Sequence, residues 1–156
     1  MVGEIYDLSL SELASEGVKA ILCDLDDTLT PYYDTTTHPR LEAWIEEVKA
    51  AGIKLCILSN GKKDRILPMC NQLGLVCLPM SCKPLPFGYI RALRKLGLKR
   101  KELVCIGDQI FTDVLGGNLM GIRTVLVEPI AYKTSSVEVK KRQIEKRFRR
   151  EKGKNA

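Results

Sequence analysis

Asp24 and Asp26 flank Leu25 where a short apolar run ends, and Asp27 and Thr28 follow directly. Further along stand Ser59-Asn60-Gly61, then Lys83-Pro84, then Gly107-Asp108 with Asp113 five residues on. These residue types suit attack on a phosphate ester, which needs a nucleophile, a proton donor for the leaving oxygen, and positive charge against the phosphoryl oxygens. Asp24 can attack phosphorus and carry the phosphoryl group as an acyl phosphate that water then splits. Asp26 can face the same pocket, with Leu25 turned away, protonate the leaving group and later deprotonate water. Two carboxylates and a phosphate need a cation between them. Mg²⁺ on Asp24, the Asp26 carbonyl and Asp108 would supply it, because hard oxygen donors suit that ion. Lys83 adds charge beside the nucleophile, and Thr28, Ser59 and Asn60 offer groups for phosphate oxygens. Taken singly, each has a plainer reading: acidic residues at strand ends form turns or cap helices, and Asp113 could cap the helix it begins.

The elements around these residues decide between the two. Val18 to Leu25 is a buried-strand pattern, and Lys54 to Leu58, Leu75 to Met80, Leu103 to Ile106 and Thr124 to Val127 are four more. Between them, Pro39 to Ala51, Lys63 to Leu73, Phe87 to Leu96 and Thr112 to Met120 read as helices, three of them followed closely by glycine stops at Gly52, Gly74 and Gly97. Continuous apolar strands alternating with helices predict an α/β fold: a parallel five-stranded sheet between two helix layers, Rossmann-like. Right-handed crossovers bring every strand's C-terminal end to one edge, where such folds bind ligands. Carboxylates, hydroxyls and a lysine follow successive strands at that edge, which favours the chemical reading over four coincidences.

Other chemistries find less support. His38 is the only histidine, and beside Pro39 it reads as a solvated loop residue. The cysteines at 23, 56, 70, 77, 82 and 105 form no CxxC pair and match no zinc spacing, so they read as free thiols. Cys23, Cys56, Cys77 and Cys105 would serve as core residues in strands. No apolar run approaches the ~20 residues of a membrane helix, and the N-terminus does not read as a signal peptide. The expected location is the cytoplasm.

The four motifs resemble those of the haloacid dehalogenase-like (HAD) phosphatases: Asp24-Leu25-Asp26-Asp27-Thr28, Leu58-Ser59-Asn60, Lys83-Pro84, and Gly107-Asp108-Gln109-Ile110-Phe111-Thr112-Asp113. The longer stretch to Gly116-Gly117-Asn118, with Val127-Glu128-Pro129-Ile130 after it, is similar to one branch, the YqeG-like subfamily IIIA phosphatases. The resemblance spans roughly 5–150. It implies the roles given to Asp24, Asp26, Ser59, Lys83 and Asp108, with Asp113 supporting the metal. Many members of the branch have Asn where this chain has Asp27. The branch is similar to phosphatidylglycerophosphate phosphatases, which implies a lipid phosphate as substrate.

Both intervals that hold a cap domain in many relatives are used up here by core elements, so no cap is expected. An open site suits a phosphate on something large, unless oligomerisation supplies a lid. Charge then divides the chain into a core, 1–132, and an extension, 133–156. The extension carries +7, against −1 for the core. It reads as a basic helix or tail, with Ile144 and Phe148 as a thin apolar stripe. Such a segment can hold an enzyme at the anionic inner face of a membrane, stay solvated, or meet nucleic acid. No aromatic interleaving supports the last. The leading expectation is a phosphatidylglycerophosphate phosphatase. The alternatives are a soluble sugar-phosphate or nucleotide phosphatase and a weakly catalytic protein that docks on RNA or ribosomes; the intact acidic set argues against the latter.

Overall fold

The innermost strand of the sheet is also the one that ends in the paired carboxylates. In the computed structural model, which describes residues 2–31, 34 and 36–130, β1 (Ala20–Cys23) lies between β2 (Lys54–Leu58) and β4 (Leu103–Gly107). β3 (Val76–Leu78) and β5 (Arg123–Leu126) complete the order β3-β2-β1-β4-β5, and every neighbouring pair is parallel. Ala20 sits opposite both Lys54 and Leu103, so the three inner strands run in step. The Asp24 N–H extends the ladder by donating to the Ile106 carbonyl at 3.0 Å.

All four residues of β1 are buried. Successive side chains point to opposite faces, which splits them between two cores. Ile21 and Cys23 join Ile57, Val104 and Ile106 under α2 (Pro39–Ala50) and α3 (Lys63–Leu73). Ala20 and Leu22 join Cys56, Leu58 and Cys105 under α4 (Phe87–Leu96), whose Tyr89 and Ala92 are fully buried. The α/β three-layer expectation holds. α2 and α4 also begin and end within a residue of the expected limits, and α3 matches them. Glycine explains two of the stops: Gly74 and Gly97 take φ of 66° and 64°, the left-handed conformation that ends a helix at little cost to a residue without Cβ.

Three local readings need correction. His38 is not a solvated loop residue. It is half-buried, and its Nδ1 accepts the Leu41 N–H at 3.2 Å, capping α2 ahead of Pro39. A second helix layer element was missed: α1 (Leu10–Ser15) starts at Ser9, whose hydroxyl accepts the Glu12 N–H, and buries Leu13. The expected helix from Thr112 begins earlier and more loosely, as a π-helical turn over Ile110–Val114 that leads into α5 (Leu115–Leu119). Of the four cysteines assigned to strand cores, Cys23, Cys56 and Cys105 are buried and Cys77 is half-buried; all six thiols are free.

The interval between β1 and β2 holds α2, and that between β2 and β3 holds α3; no further element stands in either among the described residues. No helix of those residues is long and apolar enough to cross a membrane. The basic segment 133–156 lies outside the described residues, so the expectation of a helix or tail there stays an expectation.

Candidate active site

The turn after β1 sets the first two carboxylates. Leu25 turns into the core, 3% exposed, and its carbonyl receives the N–H groups of Thr28, Leu29 and Thr30. This tight loop leaves Asp24 and Asp26 on the pocket side, each 8% exposed. Asp27 takes φ 59°, a left-handed conformation that Asp and Asn tolerate better than most residues. Asn would satisfy the same backbone demand.

Lys83 reaches the same point from the loop after β3. Its Nζ donates to Asp24 Oδ1 at 3.1 Å and to Asp113 Oδ1 at 2.5 Å, and it is almost wholly buried. Asn60 holds its backbone: Asn60 Oδ1 accepts the Lys83 N–H at 2.7 Å, and Asn60 Nδ2 donates to the Lys83 carbonyl at 3.0 Å. The Asn60 amide, expected on a phosphate oxygen, is thus engaged in positioning the lysine. Ser59 is fully buried and its Oγ accepts the Gly61 N–H at 3.0 Å. Thr28 Oγ1 donates to Asp108 Oδ1 at 3.1 Å.

The π-helical turn explains how Asp113 comes home. The wide turn lets the carboxylate fold back beneath the end of β4, where its Oδ2 accepts the Gln109 N–H at 3.2 Å. A Cβ on Gly107 would collide with that carboxylate, so only glycine leaves the room. Asp24, Asp108 and Asp113 then offer ligand oxygens that all lie within 4.8 Å of one another. Three buried carboxylates with one lysine leave a negative excess, and their hard oxygen donors fit a divalent cation.

Charge at the site follows from this crowding. Burial, opposed by Lys83 and reinforced by Asp113 and Asp26, pushes the Asp24 carboxyl up to about 6. Burial likewise raises Asp113, with Lys83 opposing and Asp108 adding. Lys83 goes the other way: burial works against its charge, but Asp113 and Asp24 outweigh it and hold the ammonium well above its ordinary value.

One participant was not foreseen. Arg65, on the first turn of α3, donates through Nη1 to Asp26 Oδ1 at 2.7 Å and through Nη2 to Asp26 Oδ2, a two-point grip. Gly61 gives it passage, since a Cβ there would stand 2.7 Å from Nη2. An arginine early in a helix reads as solvated, and nothing in the spacing marks a contact across 39 residues.

The HAD-hydrolase-like family model matches residues 81–145. A Bacillus subtilis protein named probable phosphatase YqeG is 38% identical over 147 residues, covering 94% of this chain and 86% of that one. The chain belongs to the haloacid dehalogenase-like phosphatases. Another relative of this HAD phosphatase is the Arabidopsis thaliana phosphatidylglycerophosphate phosphatase 1, chloroplastic/mitochondrial, 31% identical over 76% of this chain but only 37% of its own length. The fold is shared with a Moraxella catarrhalis 3-deoxy-D-manno-octulosonate 8-phosphate phosphatase solved with magnesium and phosphate ions: TM-score 0.52, 17% identity, 65% of this chain and 63% of that one.

Proposed function

We propose that this HAD phosphatase removes the terminal phosphate of phosphatidylglycerophosphate through an aspartyl-phosphate on Asp24, with Mg²⁺ as its cation. The observation that carries the chemistry is Lys83 Nζ seated between Asp24 and Asp113, with Asp108 alongside. Such a site is built to hold one nucleophilic carboxylate among negative groups. The lipid reading is supported by the uncapped sheet edge and by the plant relative.

Asp24 Oδ1 receives its orientation from Lys83, and its other oxygen is the one to attack phosphorus. Asp24 and Asp108, with Asp113 in support and the Asp26 carbonyl as a further donor, would hold Mg²⁺, which would supply positive charge against the phosphoryl oxygens. Lys83 places a second positive charge at the same point and needs no reorganisation during reaction. Ser59 and Thr28 hydroxyls flank the phosphate position. Asp26 donates a proton to the leaving oxygen and then takes one from the incoming water. Its oxygens are both gripped by Arg65, so Arg65 withdraws before either transfer. In this reading 1–132 forms the catalytic core, and the basic segment 133–156 adds attraction to the inner face of the membrane.

Purified protein tested on a panel of phosphomonoesters is expected to favour phosphatidylglycerophosphate in mixed micelles over sugar phosphates and nucleotides in kcat/KM. Preference for a soluble ester would reassign the substrate and leave the phosphatase chemistry standing.

Cation binding carries its own pH signature. With Asp24 at about 6, protons compete for it increasingly as pH falls. Calorimetric Mg²⁺ affinity is expected to drop about fourfold between pH 7.5 and 5.5 from this group alone. An affinity flat across that range would mean that Asp24 is not a ligand.

A further inference from the structure

The loop between β3 and α4, together with the first residue of α4, presents three large apolar side chains to solvent. Met80 is 55% exposed, Leu85 53% and Phe87 62%, all within eight residues that also contain the buried Lys83. Slack does not explain this exposure, because the backbone is tied along its length. The Met80 N–H donates to the Gly61 carbonyl at 3.0 Å, and the Ser81 N–H to the Ser59 carbonyl at 2.9 Å. Ser81 Oγ donates to the Leu78 carbonyl, and Asn60 pins Lys83 from both sides. A braced loop that holds apolar groups outward marks a contact surface. The Met80–Gly61 bond also joins this loop to Lys62 and Lys63, both exposed.

We propose that Met80, Leu85 and Phe87, with Lys62 and Lys63 beside them, dock the mouth of the site on an anionic lipid bilayer. This rests on the reading of a lipid phosphate as substrate and adds the surface that presents it. Apolar side chains beside lysines form the pattern of an interfacial contact: the former enter the headgroup boundary and the latter meet anionic lipid. The position favours a bilayer over a protein partner. The segments leading from β2 into α3 and from β3 into α4 carry these residues together with Ser59, Asn60 and Lys83, so a protein seated there would close the mouth. A membrane plane delivers the phosphate to it instead.

The test uses the full chain and vesicles of phosphatidylglycerol mixed with phosphatidylcholine. The triple variant Met80→Gln, Leu85→Gln, Phe87→Gln is expected to bind at least about tenfold more weakly while its hydrolysis of a soluble aryl phosphate stays at the parent level. The loss should persist at about 0.5 M salt, where screening sets aside attraction by the basic segment. Phe87→Gln alone should show a smaller loss in the same direction, which keeps the test open if the triple variant folds poorly. Lys62→Gln with Lys63→Gln should weaken binding at low salt only, and not on phosphatidylcholine alone. Vesicle affinity unchanged in the triple variant and in Phe87→Gln overturns the proposal. So does a parent dimer that the triple variant splits without loss of vesicle binding, since the patch would then join two copies. Hydrolysis of phosphatidylglycerophosphate in detergent micelles, which needs no docking, separates the two readings. If the parent hydrolyses it there but the variants bind vesicles normally, docking fails and the substrate stands. If the parent leaves it intact, the substrate reading fails, and vesicle affinity still judges the surface.

Discussion

Asp24→Asn is expected to cut Mg²⁺-dependent hydrolysis of an aryl phosphate at least ~10³-fold, about 4 kcal/mol of barrier. The substitution keeps the shape of the side chain and its place at the end of β1 but removes the attacking charge. The same change should not harm the fold. The Asp24 carboxyl is raised from 3.8 to about 6, mainly by burial, so the folded chain binds that proton more tightly than the unfolded chain does. Its contribution to stability is therefore present below pH 4 and lost as pH rises through 6. Ionised Asp24 is a burden on the metal-free protein at neutral pH, and Asn relieves it. With chelator present, the variant should melt higher than the parent at pH 7.5, and the gap should shrink at pH 4. Near-parental turnover would end the covalent mechanism. A gap that widens toward acid pH would contradict the assignment of charge at Asp24.

Lys83→Met is expected to act in the opposite sense on stability while also lowering turnover about 10²-fold or more. The ammonium is the cation that Asp24 and Asp113 share, and all three are buried. Removing one member of a buried charge group leaves the others uncompensated, a loss of about 3–5 kcal/mol. Denaturant titration in chelator should show it. Saturating Mg²⁺ should return part of the lost stability, because the ion binds only the folded chain and supplies positive charge at the same place. Paired melts of Asp24→Asn and Lys83→Met thus form a sign test: two neighbours 3.1 Å apart, both needed for turnover, should move stability in opposite directions. A Lys83→Met protein as stable as the parent without metal would show that the site tolerates its negative excess alone.

Much of the fold was legible because its signals are local. A strand buried on both faces reads as an unbroken apolar run, and α2, α3 and α4 announce themselves by helical spacing and a glycine stop. The π-helical turn was not legible. Its width is imposed by Asp113 reaching back under Gly107, a contact between residues that spacing alone cannot aim. α1 was missed although its signal is present: Ser9 and Glu12 carry the Ser-x-x-Glu signature of a helix start. At the site, residue types announced the acids and the lysine. Their partners were harder to foresee, because they depend on which loops the sheet edge brings together. Asn60 turned out to hold the Lys83 backbone, and Arg65 the Asp26 carboxylate.

The nucleophile's strand has partners on both sides. β1 is bonded to β2 and to β4 over its whole length, and Asp24 itself extends the second ladder. Fraying at the edge strands β3 and β5 cannot reach it without first separating the middle of the sheet. The groups that meet Asp24 come from the loops after β3 and β4, so fraying of the edge strand β3 can carry Lys83 away while β1 stays bonded on both sides. A molecule of this enzyme can therefore lose its lysine while the central strands are still paired, and in a partly denatured sample turnover should fall ahead of the loss of the inner sheet.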